Sequence, residues 1–394
     1  MRPPGDDWRE RLRVREERSL LRFLRRVDPE GDGRVLVEGR SCLNLSSNDY
    51  LGLAADPRLG EAAAVAARRH GASVASSRLV AGTTSEHEAL EVEFAAWVGA
   101  EAALCFSSGM LANLGTIPVL AGEGDLLVSD GMNHASLIDG IRLSKARRAL
   151  YPHADADAAA AACRGAAGGR AWIVTESVYS MDGDLAPLGR LSALRREASA
   201  GLYVDEAHAL GVIGPDGAGG LCACGVRGGA DAILGTFGKA LGAFGACVAG
   251  PKSLRELLVN EARTFVYSTA LPPPAVAAAR AGLAIARDDA GRRRAALDAA
   301  ARIRAGLRDA GYEVPDGAGA IVDVRFGGAD VALDRAVRLR EEGMYVVAIR
   351  PPTVPEGTSR LRIGARATWT GAQLTAILDA FRRVRRAVRP DARA

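Results

Sequence analysis

The sequence predicts an α/β protein built on a mostly parallel central sheet flanked by helices, with a smaller C-terminal α/β domain. Two observations carry this. Six apolar runs of strand length, bounded by turn residues, fall at 102–106, 126–129, 172–175, 202–205, 232–235 and 246–249. Most are separated by helix-length segments, and near-continuous apolar strands alternating with helices belong to sheets buried on both faces. The 394 residues are 48% hydrophobic and 25% charged, which excludes a mainly disordered or collagen-like chain.

The elements follow in order. Residues 8–27 set Trp8, Leu12, Leu20, Leu21 and Leu24 among many arginines, the pattern of a basic amphipathic arm packed on the body of the protein or on a partner subunit. Residues 33–53 alternate polar and apolar positions around short turns and read as a hairpin. Asp56-Pro57 opens a helix that Gly71 closes. Ser85 and Glu88 form a capping-box pair ahead of a second helix, which ends before Gly99. The six strands come next. After Pro272-Pro273-Pro274 comes a long Ala/Arg-rich helical stretch, then a strand-and-helix unit over 319–350 and 359–386. The expected division is an N-terminal arm and hairpin (1–45), a large domain (46–285) and a small C-terminal domain (286–394).

Charge and cysteine usage narrow the class. Fifty-one basic against 47 acidic residues give +4, too little over this length to argue for a nucleic-acid or membrane surface. No apolar run approaches the ~20 residues of a membrane span. The first thirty residues mix both charge signs and lack a secretion signal's apolar core. Six cysteines (42, 105, 163, 222, 224 and 247) are thinly spread, several inside apolar stretches, which suits reduced thiols in a cytoplasmic enzyme. Cys222 and Cys224 have no second pair at metal-site spacing, and the five histidines form no ligand pair, so no metal site is expected.

Ligands of open α/β sheets bind beyond the carboxyl ends of the strands. Ser107-Ser108-Gly109 follows the first run and opens a helix, where unpaired N–H groups and the helix dipole favour phosphate. His134 follows the second run, with a ring face that can lie on an aromatic ring. Glu176, Ser177 and Ser180 follow the third. Asp205 ends the fourth run, where it can hold a protonated pyridine nitrogen, and His208, three residues on, can bond a ring hydroxyl. Thr236 and Lys239 follow the fifth; the hydroxyl can join the phosphate, and a lysine in a small-residue turn can form a Schiff base. Phosphate, aldehyde and pyridinium together describe pyridoxal 5'-phosphate (PLP). Each residue alone also has a plain structural reading: a solvated lysine, a satisfied histidine, an aspartate capping a helix. Their coincidence on one rim favours function. Competing motifs fail. GTFGKA has Ile233 where a P-loop needs its first glycine, GDGRVL lacks the third glycine of a dinucleotide fingerprint, and neither Gly-x-Ser-x-Gly around the Ser-Ser pairs nor HExxH occurs.

LNLSSNDYLGL (43–53), SSRLVAGTTSEHEALE (76–91), FSSGMLAN (106–113), MNHASLIDG (132–140), ESVYSMDGDLAPL (176–188), VDEAHALGVIGPDGAGG (204–220), TFGKALGAFG (236–245), YSTALPP (267–273) and IRPPTVPEGTSRLRI (349–363) together resemble the α-oxoamine synthase family, from about residue 20 to the end. The resemblance implies a fold-type I PLP-dependent transferase, a homodimer whose subunits share each active site, and condensation of an amino acid with an acyl thioester with loss of carbon dioxide. It implies Lys239 as Schiff-base lysine and proton-abstracting base, His134 stacked on the pyridine ring, Asp205 at its nitrogen, and His208 and Ser180 on its hydroxyl side. Gly109, Met110 and Thr236 would hold the phosphate, helped by Ser268 and Thr269 from the neighbouring subunit. Arg362 would bind the amino-acid carboxylate, and Arg22 and Thr353 the acyl substrate. Related branches use glycine with acetyl-CoA or succinyl-CoA, or serine with a long acyl-CoA. IRPPTVP and SSRLV resemble more the branch joining L-alanine to a pimeloyl thioester, carried on coenzyme A or acyl carrier protein. A non-catalytic partner subunit of the same fold would lack Lys239, and an aminotransferase would need no thioester entrance. Two positions depart from the family pattern: Met110, where an aromatic residue is usual, and Trp369, where a histidine is usual and which bears on recognition of the substrate tail.

Overall fold

The computed structural model describes residues 4–166 and 168–386. In chain order the strands are β1 (Val27–Gly31), β2 (Arg34–Val37), β3 (Arg40–Asn44), β4 (Ala102–Phe106), β5 (Leu126–Asp130), β6 (Arg147–Tyr151), β7 (Ala171–Glu176), β8 (Gly201–Asp205), β9 (Ala232–Thr236), β10 (Ala246–Gly250), β11 (Ile321–Gly327), β12 (Met344–Tyr345), β13 (Ala348–Ile349) and β14 (Ser359–Gly364). The central sheet runs β4-β10-β9-β8-β7-β5-β6. Pairings from β9 through β6 are parallel, and β10 runs antiparallel to both β4 and β9. Residues 237–245 explain the exception, being too short for the dozen-residue crossover that a parallel neighbour needs.

Side chains alternate between two cores across this sheet. Val128, Ile173, Val204, Ile233 and Cys247 enter one, while Leu127, Val174, Tyr203, Leu234 and Val248 enter the other. Both faces are therefore covered, which is why the strands read as unbroken apolar runs. A third core joins Leu43 and Leu45 to helix Ala290–Asp309, to the sheet β11-β14-β13 and to helix Gly371–Arg386. Among the described residues no helix is long and apolar enough to cross a membrane.

Local chemistry sets the helix ends. Asp56 caps Pro57–His70 through its carboxylate on the Arg58 N–H, and Gly71 ends it at φ +80°. The next helix, Ser85–Val98, corrects the expected cap by one residue. Thr84 is the N-cap and His87 its reciprocal partner, so a histidine does the work the Ser85/Glu88 pairing assigned to a carboxylate. The Ala/Arg-rich stretch is two helices, Pro273–Asp288 and Ala290–Asp309, broken where Asp289 caps the second. β6 was not anticipated: RRALY is an edge strand with a largely exposed surface, so it lacks the apolar signature. The arm divides in two: the helix Pro4–Glu17 leaves Trp8 and Leu12 exposed, whereas the segment after it is held on the body, Arg350 donating to Ser19 O and Leu21 O and Arg22 to Thr353 Oγ1.

Candidate active site

The carboxyl ends of β4, β5, β7, β8 and β9 open on one cavity of about 470 Å³. Lys239, His134, Asp205 and His208 all line it, with Gly109, Met110, Ser180 and Thr236, and Arg362 enters from β14.

At one end, Ser108 caps the helix Gly109–Leu120, its hydroxyl accepting from the Leu111 N–H at 3.2 Å. The first amides of a helix have no intrahelical partner and face an anion readily. Gly109 lies so close to β9 that a Cβ there would sit 2.6 Å from Thr236 Cγ2. The buried Thr236 Oγ1 has no hydrogen-bond partner among the described residues. An orphaned hydroxyl, a close-packed glycine and free helix amides fit a phosphate group. Gly109→Ala is expected to leave the fold in place and weaken PLP binding by about tenfold or more, the factor that ~1.4 kcal/mol represents; equilibrium titration of the apoprotein reads it.

Lys239 sits in the turn between β9 and β10, closed by Phe237 N–H to Gly245 O at 2.9 Å and Ala243 N–H to Phe237 O at 2.8 Å. Gly242, at φ +67°, pins this turn against Leu53 and Ala54; a Cβ would meet Ala54 N at 2.4 Å. Burial pushes the Lys239 amine below its ordinary range, Asp205 and Glu176 oppose that, and Arg362 adds to it.

Asp205 ends β8 and is buried. One oxygen accepts from the Ala207 N–H at 2.9 Å and the other from Asn113 Nδ2 at 3.0 Å. His134 caps the helix Ala135–Leu143, its Nδ1 taking the Ser136 N–H at 3.2 Å. Burial holds its imidazole below the usual histidine range, Asp205 opposing and Lys239 adding. His208 Nδ1 meets Tyr50 OH at 2.8 Å, and burial with the nearby Lys239 and Arg362 pushes this ring well below its ordinary value. Both imidazoles are therefore biased toward the neutral form.

Arg362 donates to Ser180 O, to Asn48 Oδ1 at 2.9 Å and to Tyr50 OH at 2.9 Å. It is 7% exposed, and among the described residues no carboxylate pairs with it. Arg360, two residues earlier, has both Asp182 and Asp323. A buried guanidinium without an acidic partner beside a cavity suits an incoming carboxylate.

The loop carrying Ser180 is anchored twice. Glu176, buried at the end of β7, accepts from the N–H groups of His134 at 2.7 Å and Ser180 at 3.2 Å, and burial, with Asp205, raises its carboxyl. His153 bridges Asp130 at 3.0 Å and Asp184 at 2.8 Å, which lift its ring to about 10. A folded value above the ordinary 6.5 means this clamp stabilises fully below 6.5 and fades as pH rises through about 10. His153→Gln is expected to lower the melting temperature most near pH ~6 and to match the parent near pH ~10, read by thermal melts across pH.

Four expected residues lie elsewhere. Ser268 is half-buried and Thr269 exposed, the latter bridged to Ser77, and neither lines the cavity. Arg22 and Thr353 line an adjoining cavity of about 260 Å³ that shares Ile349 with the first, and Arg22 reaches Thr353 Oγ1 at 3.3 Å. Trp369 is buried in the C-terminal core against Gly33, away from the cavity, so its bearing on the substrate tail through direct contact is withdrawn. Sequence reasoning gave no role to Asn48, Tyr50, Asn113, Ser136 or Glu176, all held in or around this site. Glu176 alone carried a signal, its place just past a strand.

Residues 40–381 match the family of class I and II aminotransferases. A solved structure of serine palmitoyltransferase (SPT) with a PLP internal aldimine superposes at TM-score 0.93, with 29% identity, covering 98% of this chain and 99% of that one. The fold and cavity thus define a fold-type I PLP transferase, and the chain belongs to the class I and II aminotransferase family, in its α-oxoamine synthase group. Its curated relatives are narrower. It is 49% identical over 370 residues to the 8-amino-7-oxononanoate synthase of Anaeromyxobacter dehalogenans, covering 94% of this chain and 93% of that protein. The solved 8-amino-7-oxononanoate synthase of Francisella tularensis matches at TM-score 0.76 and 27% identity, over 88% of this chain and 98% of that one.

Proposed function

We propose that this chain is an 8-amino-7-oxononanoate synthase of biotin biosynthesis. It joins L-alanine to a pimeloyl thioester, on coenzyme A or acyl carrier protein, and releases carbon dioxide and the free thiol carrier. The observation that carries this is the unpaired, buried Arg362 facing the same cavity as Lys239 and Asp205, in a chain 49% identical to such a synthase.

PLP, when bound, supplies an aldehyde for amines and a protonated pyridine that draws electrons from the amino acid's Cα. Lys239 would hold that aldehyde carbon. Its amine, whose charged form burial disfavours, would also take the Cα proton of the amino acid. Asp205 would hold the pyridine nitrogen, His134 would face the ring, and His208 and Ser180 would hold the hydroxyl side. The amides of Gly109 and Met110 and the Thr236 hydroxyl hold the phosphate, completed by Ser268 and Thr269 of a second copy, since neither reaches its own cavity. That assembly is a homodimer. Arg362 would bind the alanine carboxylate and so orient the amino acid in the cavity. Arg22 and Thr353 contact the acyl chain from the adjoining cavity. The location proposed with this activity is the cytoplasm.

The test incubates the PLP-loaded protein with L-alanine and a panel of acyl thioesters and weighs the product. The mass of 8-amino-7-oxononanoate from pimeloyl thioester is expected; efficient turnover of glycine with acetyl-CoA would move the protein to a sister branch.

A further inference from the structure

The polar chain beneath the cavity has its hydrogen directions fixed by chemistry alone. Both Asp205 oxygens accept N–H bonds, from Ala207 and from Asn113, so Asn113 presents its NH2 to the carboxyl, at 3.0 Å. The amide oxygen then faces Tyr203 OH, which donates to it at 2.6 Å. The second amide hydrogen goes to Ser136 Oγ at 2.8 Å. Having accepted there, the Ser136 hydroxyl gives its own proton to His134 Nδ1 at 2.8 Å, and the Ser136 N–H aims at the same nitrogen at 3.2 Å. Nδ1 is thus an acceptor twice over, and the proton of the neutral ring sits on Nε2. Tyr203, Asn113 and Ser136 are at most 2% exposed, so water does not compete for these bonds.

We infer that Asn113 is a positioning residue whose single amide locks the Asp205 carboxylate and the His134 tautomer into one frame. This rests on the roles proposed above for Asp205 and His134. Asn113 stands one turn inside the helix Gly109–Leu120, Tyr203 and Asp205 on β8, and Ser136 and His134 at the start of the helix Ala135–Leu143. The amide therefore ties together three elements that each bring a different part of the cavity. Its NH2 keeps the Asp205 carboxyl aimed. Through Ser136 it also leaves the His134 Nε2–H as the group offered to the cavity.

Asn113→Asp keeps the shape and reverses the hydrogen bonding. A carboxylate at 113 would repel Asp205 and draw the Ser136 hydroxyl proton away from His134. The readout is nitrogen-15 NMR of the histidine rings in the PLP-free protein, with His134 identified by its absence in His134→Asn. The parent is expected to show an unprotonated Nδ1 and a protonated Nε2. Asn113→Asp is expected to move proton density onto Nδ1 and to weaken PLP binding by about tenfold or more. Ser136→Ala, which cuts only the branch to His134, is expected to shift the ring signal and keep PLP affinity within about threefold; Ser136→Thr restores the signal. Should Asn113→Asp fail to fold, Tyr203→Phe removes the hydroxyl that orients the amide and is read by the same two signals. Parent-like ring signals and PLP affinity in whichever of these variants folds would overturn the inference. If the parent itself binds no PLP, the reading of the cavity fails instead, and the tautomer of the PLP-free protein still decides the role of Asn113.

Discussion

Lys239→Ala is expected to reduce kcat by about 10⁴-fold, the top of the usual range for one general acid–base group, because in the proposed function the lysine also holds the cofactor. The fold should survive. The Lys239 side chain projects into the cavity, and the turn that presents it is closed by backbone bonds of Phe237, Ala243 and Gly245, none of which needs the amine. A melting temperature within about 3 °C of the parent is therefore expected, together with loss of the visible band of bound PLP. Retained turnover would remove Lys239 from the chemistry. A large drop in melting temperature would instead mark it as structural.

Asp205→Asn is expected to cost roughly 10²- to 10³-fold in kcat, comparable to removing one preorganised partner of a charge in a dry site. The carboxylate is buried and, in the proposed function, supports the pyridine proton, so a neutral amide would lose the charge attraction where water cannot replace it. Both Asp205 oxygens accept N–H bonds, from Ala207 and Asn113, so the new NH2 must face a donor. A stability loss of about 1–3 kcal/mol accompanies the kinetic one. The two separate experimentally: chemical denaturation reads the first, and kcat per folded molecule the second. Activity near the parent value would contradict the assignment.

How much of this was legible depended on where each residue sits. Strands β4, β5, β7, β8, β9 and β10 announced themselves because both faces are buried, whereas β6 at the edge exposes Arg147 and Arg148 and looks like loop. Looking just past each strand found Lys239, Asp205, His134 and Thr236, since an open sheet places its ligand there. The same rule could not find Asn113, one turn inside a helix, or Asn48, which reaches the cavity from the segment after β3, or Tyr50 beside it, which holds Arg362 and His208. Arg362 came from resemblance alone; its strand belongs to a different sheet, and only the folded chain brings it against Ser180. The expected cap at Ser85 failed because the rule seeks a carboxamide or carboxylate, and here an imidazole serves.

The chain contains three lysines, at 145, 239 and 252, among 51 basic residues. Borohydride reduction of the PLP-loaded protein, followed by proteolysis and peptide mass analysis, therefore gives an unambiguous answer. The account predicts one pyridoxyl adduct, on the peptide containing Lys239. An adduct confined to Lys145 or Lys252, or no adduct on a protein that carries the cofactor, would contradict it.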